Sequence, residues 1–163
     1  MKKCWIFIVV MGMLLAGCGA EETFETLADE QAAQVLARQR QIYVELPGEA
    51  ASPAVESGSG RLYLCGDYEI SIQTLEGGDT DTTVRSLTGY GQEMLTILET
   101  RKEDLVCREF VWASAGETGD LVGRAMVIDD GSYHYCLSVL ADADTAEQNR
   151  AVWDRMFESF RLA

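Results

Sequence analysis

From Leu95 onward the chain repeats one arrangement: an apolar, strand-length run followed by a tight polar turn. The runs are Leu95 to Thr100, Leu105 to Ala115, Leu121 to Ile128 and Tyr133 to Leu140, with turns such as Gly116-Glu-Thr-Gly119 and Asp129-Asp-Gly131. Turns this short cannot carry a crossover, so consecutive strands must lie as antiparallel neighbours. That requirement predicts a sheet of at least four strands and excludes an all-helical domain.

Two further runs come earlier. Leu62 to Cys65 and Tyr68 to Leu75 flank Gly66-Asp67, and Tyr68, Ile70 and Ile72 alternate with Glu69, Ser71 and Gln73, as in a half-buried hairpin strand. After Gly77-Gly78, Asp79 or Asp81 stands where a helix cap belongs, and Val84, Leu87 and Tyr90 share a helical face ahead of Gly89 and Gly91. The chain closes with Asp144-Thr-Ala-Glu147, at capping-box spacing, followed by a helical stripe of Val152, Trp153, Met156, Phe157 and Phe160. A stripe of that size must cover a sheet face. The expected fold class is therefore α+β, a mostly antiparallel sheet with helices packed on it.

The first residues carry an address. Lys2 and Lys3 precede an apolar run from Trp5 to Leu15, then come small residues and Cys18, and the chain turns acidic at Glu21. The run is shorter than the roughly 20 residues that a spanning helix needs, and its order is that of a secretory signal. Leu15-Ala16-Gly17-Cys18 resembles the lipobox of bacterial lipoproteins, which implies cleavage before Cys18 and acylation of its thiol. The expected organisation is a signal peptide over 1–17, a lipid-anchored tether and loop over 18–60 that holds a short extended piece from Ile42 to Leu46, and the α+β domain over 61–163. Cell-membrane anchoring on the extracytoplasmic face follows from that reading, with more than one acyl chain needed for lasting attachment.

Cleavage ahead of Cys18 removes 17 of the 163 residues and leaves 146, enough for one domain. It also removes two lysines, taking the formal charge from −14 to −16. Such acidity argues against nucleic acid as a partner, since phosphate binding needs clustered Lys and Arg. Beyond Cys18 three cysteines remain, Cys65, Cys107 and Cys136, each inside an apolar run and none in CxxC spacing, so they read as small buried hydrophobes. A simple meander sets Cys107 and Cys136 two strand spacings apart, about 10 Å, too far for a disulfide between them.

The segment Tyr133-His-Tyr-Cys-Leu-Ser-Val-Leu140, its acidic turn and a helix ending Met156-Phe-Glu-Ser-Phe-Arg161 resemble the end of PsbP-like and DcrB-like domains. The resemblance runs roughly from Leu62 to Leu162. It implies an α/β/α layering in an exported or lipid-anchored protein, and no catalytic residue set, because those families share none.

Chemistry-bearing motifs are sparse. The single histidine, His134, has no partner near it in sequence for a metal site and is expected to be an ordinary sheet-face residue. Asp79 with Asp81, and Asp142 with Asp144 and Glu147, do not fit a calcium loop and are expected to cap helices. Tyr90, Trp112, Tyr133, Tyr135 and Trp153 fall on strand and helix periods and are expected in the core rather than along a ligand groove. No catalytic residue, metal or cofactor is assigned. The functional expectation is a non-enzymatic binding or accessory lipoprotein that meets the membrane through lipid on Cys18, with an envelope protein as its further partner. The alternative is an envelope hydrolase whose site is scattered in sequence. Converging polar residues in a pocket would mark the hydrolase; a solid core beside an exposed apolar patch would mark the binding module.

Overall fold

The computed structural model describes residues 39–117 and 119–163. The expected signal segment, Cys18 and most of the expected tether lie outside the described residues. The chain divides at Gln39/Arg40, and Arg40–Ala163 forms a unit of its own.

Seven strands form the main sheet: β2 (Val55–Ser57), β3 (Gly60–Cys65), β4 (Tyr68–Glu76), β5 (Ile97–Lys102), β6 (Leu105–Ala115), β7 (Asp120–Asp129) and β8 (Tyr133–Asp142). Their order is β2-β3-β4-β8-β7-β6-β5, and every pairing is antiparallel. The run from β5 to β8 is the expected meander. Its last strand then docks against β4, with Tyr68 opposite Ala141 and Glu76 opposite Tyr133, so two sequence-distant hairpin systems become one sheet.

Helix α1 (Thr80–Thr88) joins β4 to the far edge of the sheet, and helix α2 (Ala143–Ser159) follows β8. They lie on opposite faces. On the α1 face Val84 packs with Phe110, Trp112, Ala125, Val127 and Cys136. On the α2 face Trp153, Met156 and Phe157, with Phe160 just past the helix, pack against strand residues including Tyr68, Ile70, Leu137, Val139 and Ile128. Met156, Phe157 and Phe160 are all but inaccessible, and burying side chains of this size stabilises the fold by about 1.5 to 3 kcal/mol each. The α+β architecture expected from sequence is thus the observed one.

Local chemistry sets the helix ends. Asp79 caps α1, its carboxylate accepting from the Asp81 N–H at 3.2 Å, and Gly89 ends the helix with φ 80°, a left-handed conformation that glycine adopts without steric cost. Tyr90 therefore stands beyond the helix rather than on its face. The start of α2 departs from expectation. Strand β8 runs to Asp142, opposite Leu121, and the helix begins at the next residue. Asp142 takes the cap position without a side-chain cap bond, while Asp144 sits inside the first turn and forms no capping box with Glu147. The strand's pairing with β7 overrides the local capping signal.

Within residues 40–60, read from sequence as the end of a tether, a short extended piece from Ile42 to Leu46 and a flexible loop, several segments are held on the domain. β1 (Ile42–Tyr43) pairs antiparallel with β9 (Arg161–Leu162), and the Arg161 guanidinium stacks 3.7 Å over the Tyr43 ring. The Arg40 N–H donates to the Tyr135 hydroxyl at 2.8 Å and the Glu45 N–H to Ser159 Oγ at 2.8 Å. Val55–Ser57 adds a strand to β3. Each of these segments is too short to show a period, and most of its partners lie at the other end of the chain.

Candidate functional site

A buried polar array lies under α1. His134 on β8 is 1% exposed and Thr83 on α1 is 5% exposed, and Thr83 Oγ1 lies 2.6 Å from His134 Nδ1. On the other side of the ring, Asp129 Oδ2 is 3.7 Å from His134 Nε2. Arg108 on β6 then links Asp129, at 3.3 Å, to Glu99, at 3.2 Å. A hydroxyl, an imidazole and a carboxylate in line suggest a nucleophile and its base. Here, however, the hydroxyl and the ring are both buried in the α1 face. A reacting carbonyl would have no approach. The array instead satisfies polar groups buried where the helix meets the sheet, so His134 is a tethered core residue and not merely one of a sheet face.

The acidic residues separate. Asp79 caps α1; Asp81 accepts from the Gln92 N–H at 2.7 Å and from Arg85 at 3.0 Å, and these two donors hold its carboxyl below the usual range. Glu147 pairs with Arg150 at 3.4 Å. Among the described residues, no group of three or more His, Cys, Asp or Glu side chains is placed to hold a metal ion. Cys65, Cys107 and Cys136 are buried free thiols. Cys107 stands opposite Ile128 on the α2 face and Cys136 opposite Val127 on the α1 face, so the intervening strand and the sheet plane both divide them. Burial pushes the Cys136 thiol up to about 12. Of the five aromatics, Trp112, Tyr133, Tyr135 and Trp153 are buried, and Tyr90 is half-buried, its hydroxyl donating to the Ala113 carbonyl. The Trp153 indole N–H has no acceptor.

Two of the grooves among the described residues lie where a helix leaves part of its sheet face uncovered. On the α2 face a groove of about 370 Å³ runs between the helix and β6–β7, lined by Val111, Val122, Ala146 and Trp153, with Glu109, Arg124, Glu147, Arg150 and Asp154 beside them. Arg124 is its fixed point. Nε donates to Glu109 at 2.6 Å, Nη1 to Asp154 at 2.6 Å, and the guanidinium lies 4.4 Å over the Phe157 ring. One cation thus satisfies both carboxylates, and no hydroxyl or thiol lines the groove to act as a nucleophile. Val111 in its wall is 58% exposed, and Leu98, outside the lining, is 60% exposed. On the α1 face a smaller groove of about 160 Å³ is lined by Ser71, Ser86, Ser138, Glu69 and Trp112 among others. Its serines have no imidazole beside them to take a proton.

Sequence reading missed Thr83, Asp129, Arg108 and Arg124. A signal for the last was present: arginine in the middle of the apolar strand Leu-Val-Gly-Arg-Ala-Met-Val-Ile must find a partner or leave the sheet. Its partners, on β6 and α2, are supplied only by the fold.

No protein-family model matches the sequence, and no curated protein sequence matches it. Solved structures do. LpqN of Mycobacterium tuberculosis matches with a TM-score of 0.51 at 11% identity, over 77% of this chain and 84% of that one. A Bacteroides thetaiotaomicron protein matches with a TM-score of 0.50 at 8% identity, over 75% of this chain, which spans only 45% of the Bacteroides protein. Cyanobacterial PsbP (CyanoP) of Synechocystis gives 0.47 at 14% identity, over 76% of this chain and 92% of that one. At these identities the likeness concerns the fold alone.

Proposed function

We propose that this chain is a non-enzymatic extracytoplasmic lipoprotein, held at the cell membrane by lipid on Cys18, whose α+β domain is a binding or accessory module at the envelope. One observation carries the choice between binding and catalysis: the interior is solid and encloses its histidine and thiols, while Leu98 and Val111 stand in water beside the groove of the α2 face. Large apolar side chains left together on a surface mark contact with a partner. The partner is an envelope protein, because the chain's strong acidity opposes contact with anionic lipid or nucleic acid. LpqN, one of the proteins of similar fold, is involved in cell envelope biogenesis, and an envelope role here fits that company. Among the described residues no helix is long and apolar enough to cross a membrane; the proposed attachment rests on the likeness of Leu15-Ala16-Gly17-Cys18 to a lipobox.

A photo-crosslinking residue at Val111, placed in the unmutated chain and in Cys18→Ala, tests both halves. The expected result is a lipid-modified mature N-terminus in the membrane fraction, lost in Cys18→Ala, and an adduct with an envelope protein from Val111 but not from Asp67 in the β3–β4 turn. A soluble, unmodified mature form of the unmutated chain overturns the anchor. Absence of a Val111 adduct in intact cells overturns the docking role.

A further inference from the structure

We propose that two copies of this chain pair edge to edge through β5, in one antiparallel register set by Glu99 and Arg101. β5 is an outer strand of the seven-stranded sheet, and Leu98, Glu99, Thr100 and Arg101 are all exposed. Its open edge has a definite polarity. The β5–β6 turn is two residues long, with Glu103 and Asp104 at φ 50° and 67°, the left-handed pair of a type I′ hairpin. In such a hairpin the flanking residues, Lys102 and Leu105, exchange both backbone hydrogen bonds, and bonded pairs recur at every second position. Thr100 and Leu98 therefore turn their N–H and C=O toward β6. Those of Ile97, Glu99 and Arg101 point out of the sheet, without a strand to receive them among the described residues.

A second β5 related by a twofold axis can meet these groups in few ways, because outward-pointing residues must face outward-pointing residues. Placing Glu99 opposite the other copy's Glu99 sets carboxylates together; placing Arg101 opposite Arg101 does the same for guanidinium groups. Like charges directly opposite destabilise a strand pair. Registers that set Ile97 opposite Glu99 or opposite its own copy form no ion pair, whereas the one midway between the two like-charge registers puts Glu99 opposite Arg101 twice and the two Thr100 residues opposite each other on the axis. Both ion pairs are then attractive, and a cross-strand threonine pair is itself favourable. Charged residues on an edge strand ordinarily guard it against pairing; alternating their signs leaves one self-complementary partner, a second copy. This pairing uses backbone and charge, and does not rest on the lipid anchor or on the α2-face groove.

The register makes a geometric test. Thr100 would be a non-hydrogen-bonded pair with Cα atoms about 4.5 Å apart, within the span of a disulfide. Leu98 would lie four residues from its counterpart, more than about 13 Å away. In cells producing the full chain, Thr100→Cys should give a disulfide-linked dimer under mild oxidation, while Leu98→Cys should not; the native thiols of the domain are buried. Adding Arg101→Glu to Thr100→Cys should lower the dimer yield by about tenfold, as should adding Glu99→Arg. Co-expressing these two variants restores opposite charges in both pairs and should restore the dimer, with circular dichroism confirming that each chain folds. The proposal is overturned if Thr100→Cys stays monomeric, if Leu98→Cys crosslinks as well as it does, or if charge reversal leaves the yield unchanged.

Discussion

Thr83 Oγ1 and His134 Nδ1, 51 residues apart in sequence, lie 2.6 Å apart in the interior and bind α1 to β8. Removing the hydroxyl while keeping its shape, by Thr83→Val, leaves a ring nitrogen buried without its partner and should cost about 1 to 3 kcal/mol. Combining it with His134→Leu should cost less than the sum of the two single changes, because the second removes the group that the first orphans. Urea denaturation of the four proteins gives the coupling. Additive costs would show that the contact contributes nothing of its own.

Gly123 stands opposite Trp112 across β6 and β7, and a Cβ there would run into the indole ring. Gly123→Ala should destabilise the domain by about 1 to 3 kcal/mol, the usual cost of overpacking. Adding Trp112→Phe should return part of it by shortening the obstructing side chain. Thermal melts of the single and double variants decide whether this close approach is what requires glycine.

Asp130 governs acid stability at the β7–β8 turn. Burial pushes its carboxyl up, but the N–H groups of Ser132 and Tyr133, the Tyr135 hydroxyl and the charge of Arg40 together outweigh that and hold it below the ordinary value. A carboxylate lowered in the folded state stabilises above its unfolded value, about pH 4, and loses that contribution as pH falls through the folded value. Asp130→Asn should therefore be less stable than the parent at pH 7, with the gap narrowing as the pH falls below about 4. Parallel pH–stability curves for the two proteins would count against this role.

The two acidic clusters should behave unequally. Asp79 accepts a cap bond and Asp144 does not. Asp79→Ala should cost about 1 kcal/mol, and Asp144→Ala no more than a few tenths, from the helix dipole alone. Calcium should shift neither melting curve. Equal losses at the two positions would restore the capping box that the structure lacks.

Cys65, Cys107 and Cys136 should resist alkylation in the native protein and all react after denaturation. The Cys136 thiol, held up to about 12 by burial, remains protonated at pH 8, and only the thiolate attacks. Mass spectrometry after iodoacetamide treatment, with and without denaturant, reads the number of modified thiols. A native-state adduct on Cys136 would mean that the α1 face opens.

What the sequence determined by itself was whatever is written in neighbouring residues. Alternation in Tyr68–Leu75, the two-residue turn at Gly66-Asp67 and the apolar stripe of the last helix fixed the elements, their antiparallel order and the α+β class, because backbone periodicity and turn chemistry are local. The strand 105–115 is bounded as its residues indicate. The tertiary structure alone decided the rest. It closed β8 against β4, paired Ile42 with Leu162, set His134 between Thr83 and Asp129, and gave Arg124 to Glu109 and Asp154. It also moved the start of α2 to Ala143, since completing a strand pair outweighed a cap. These contacts join residues tens of positions apart, and no short window of sequence carries them: which polar group meets which is settled only when the sheet closes and each buried donor must find an acceptor.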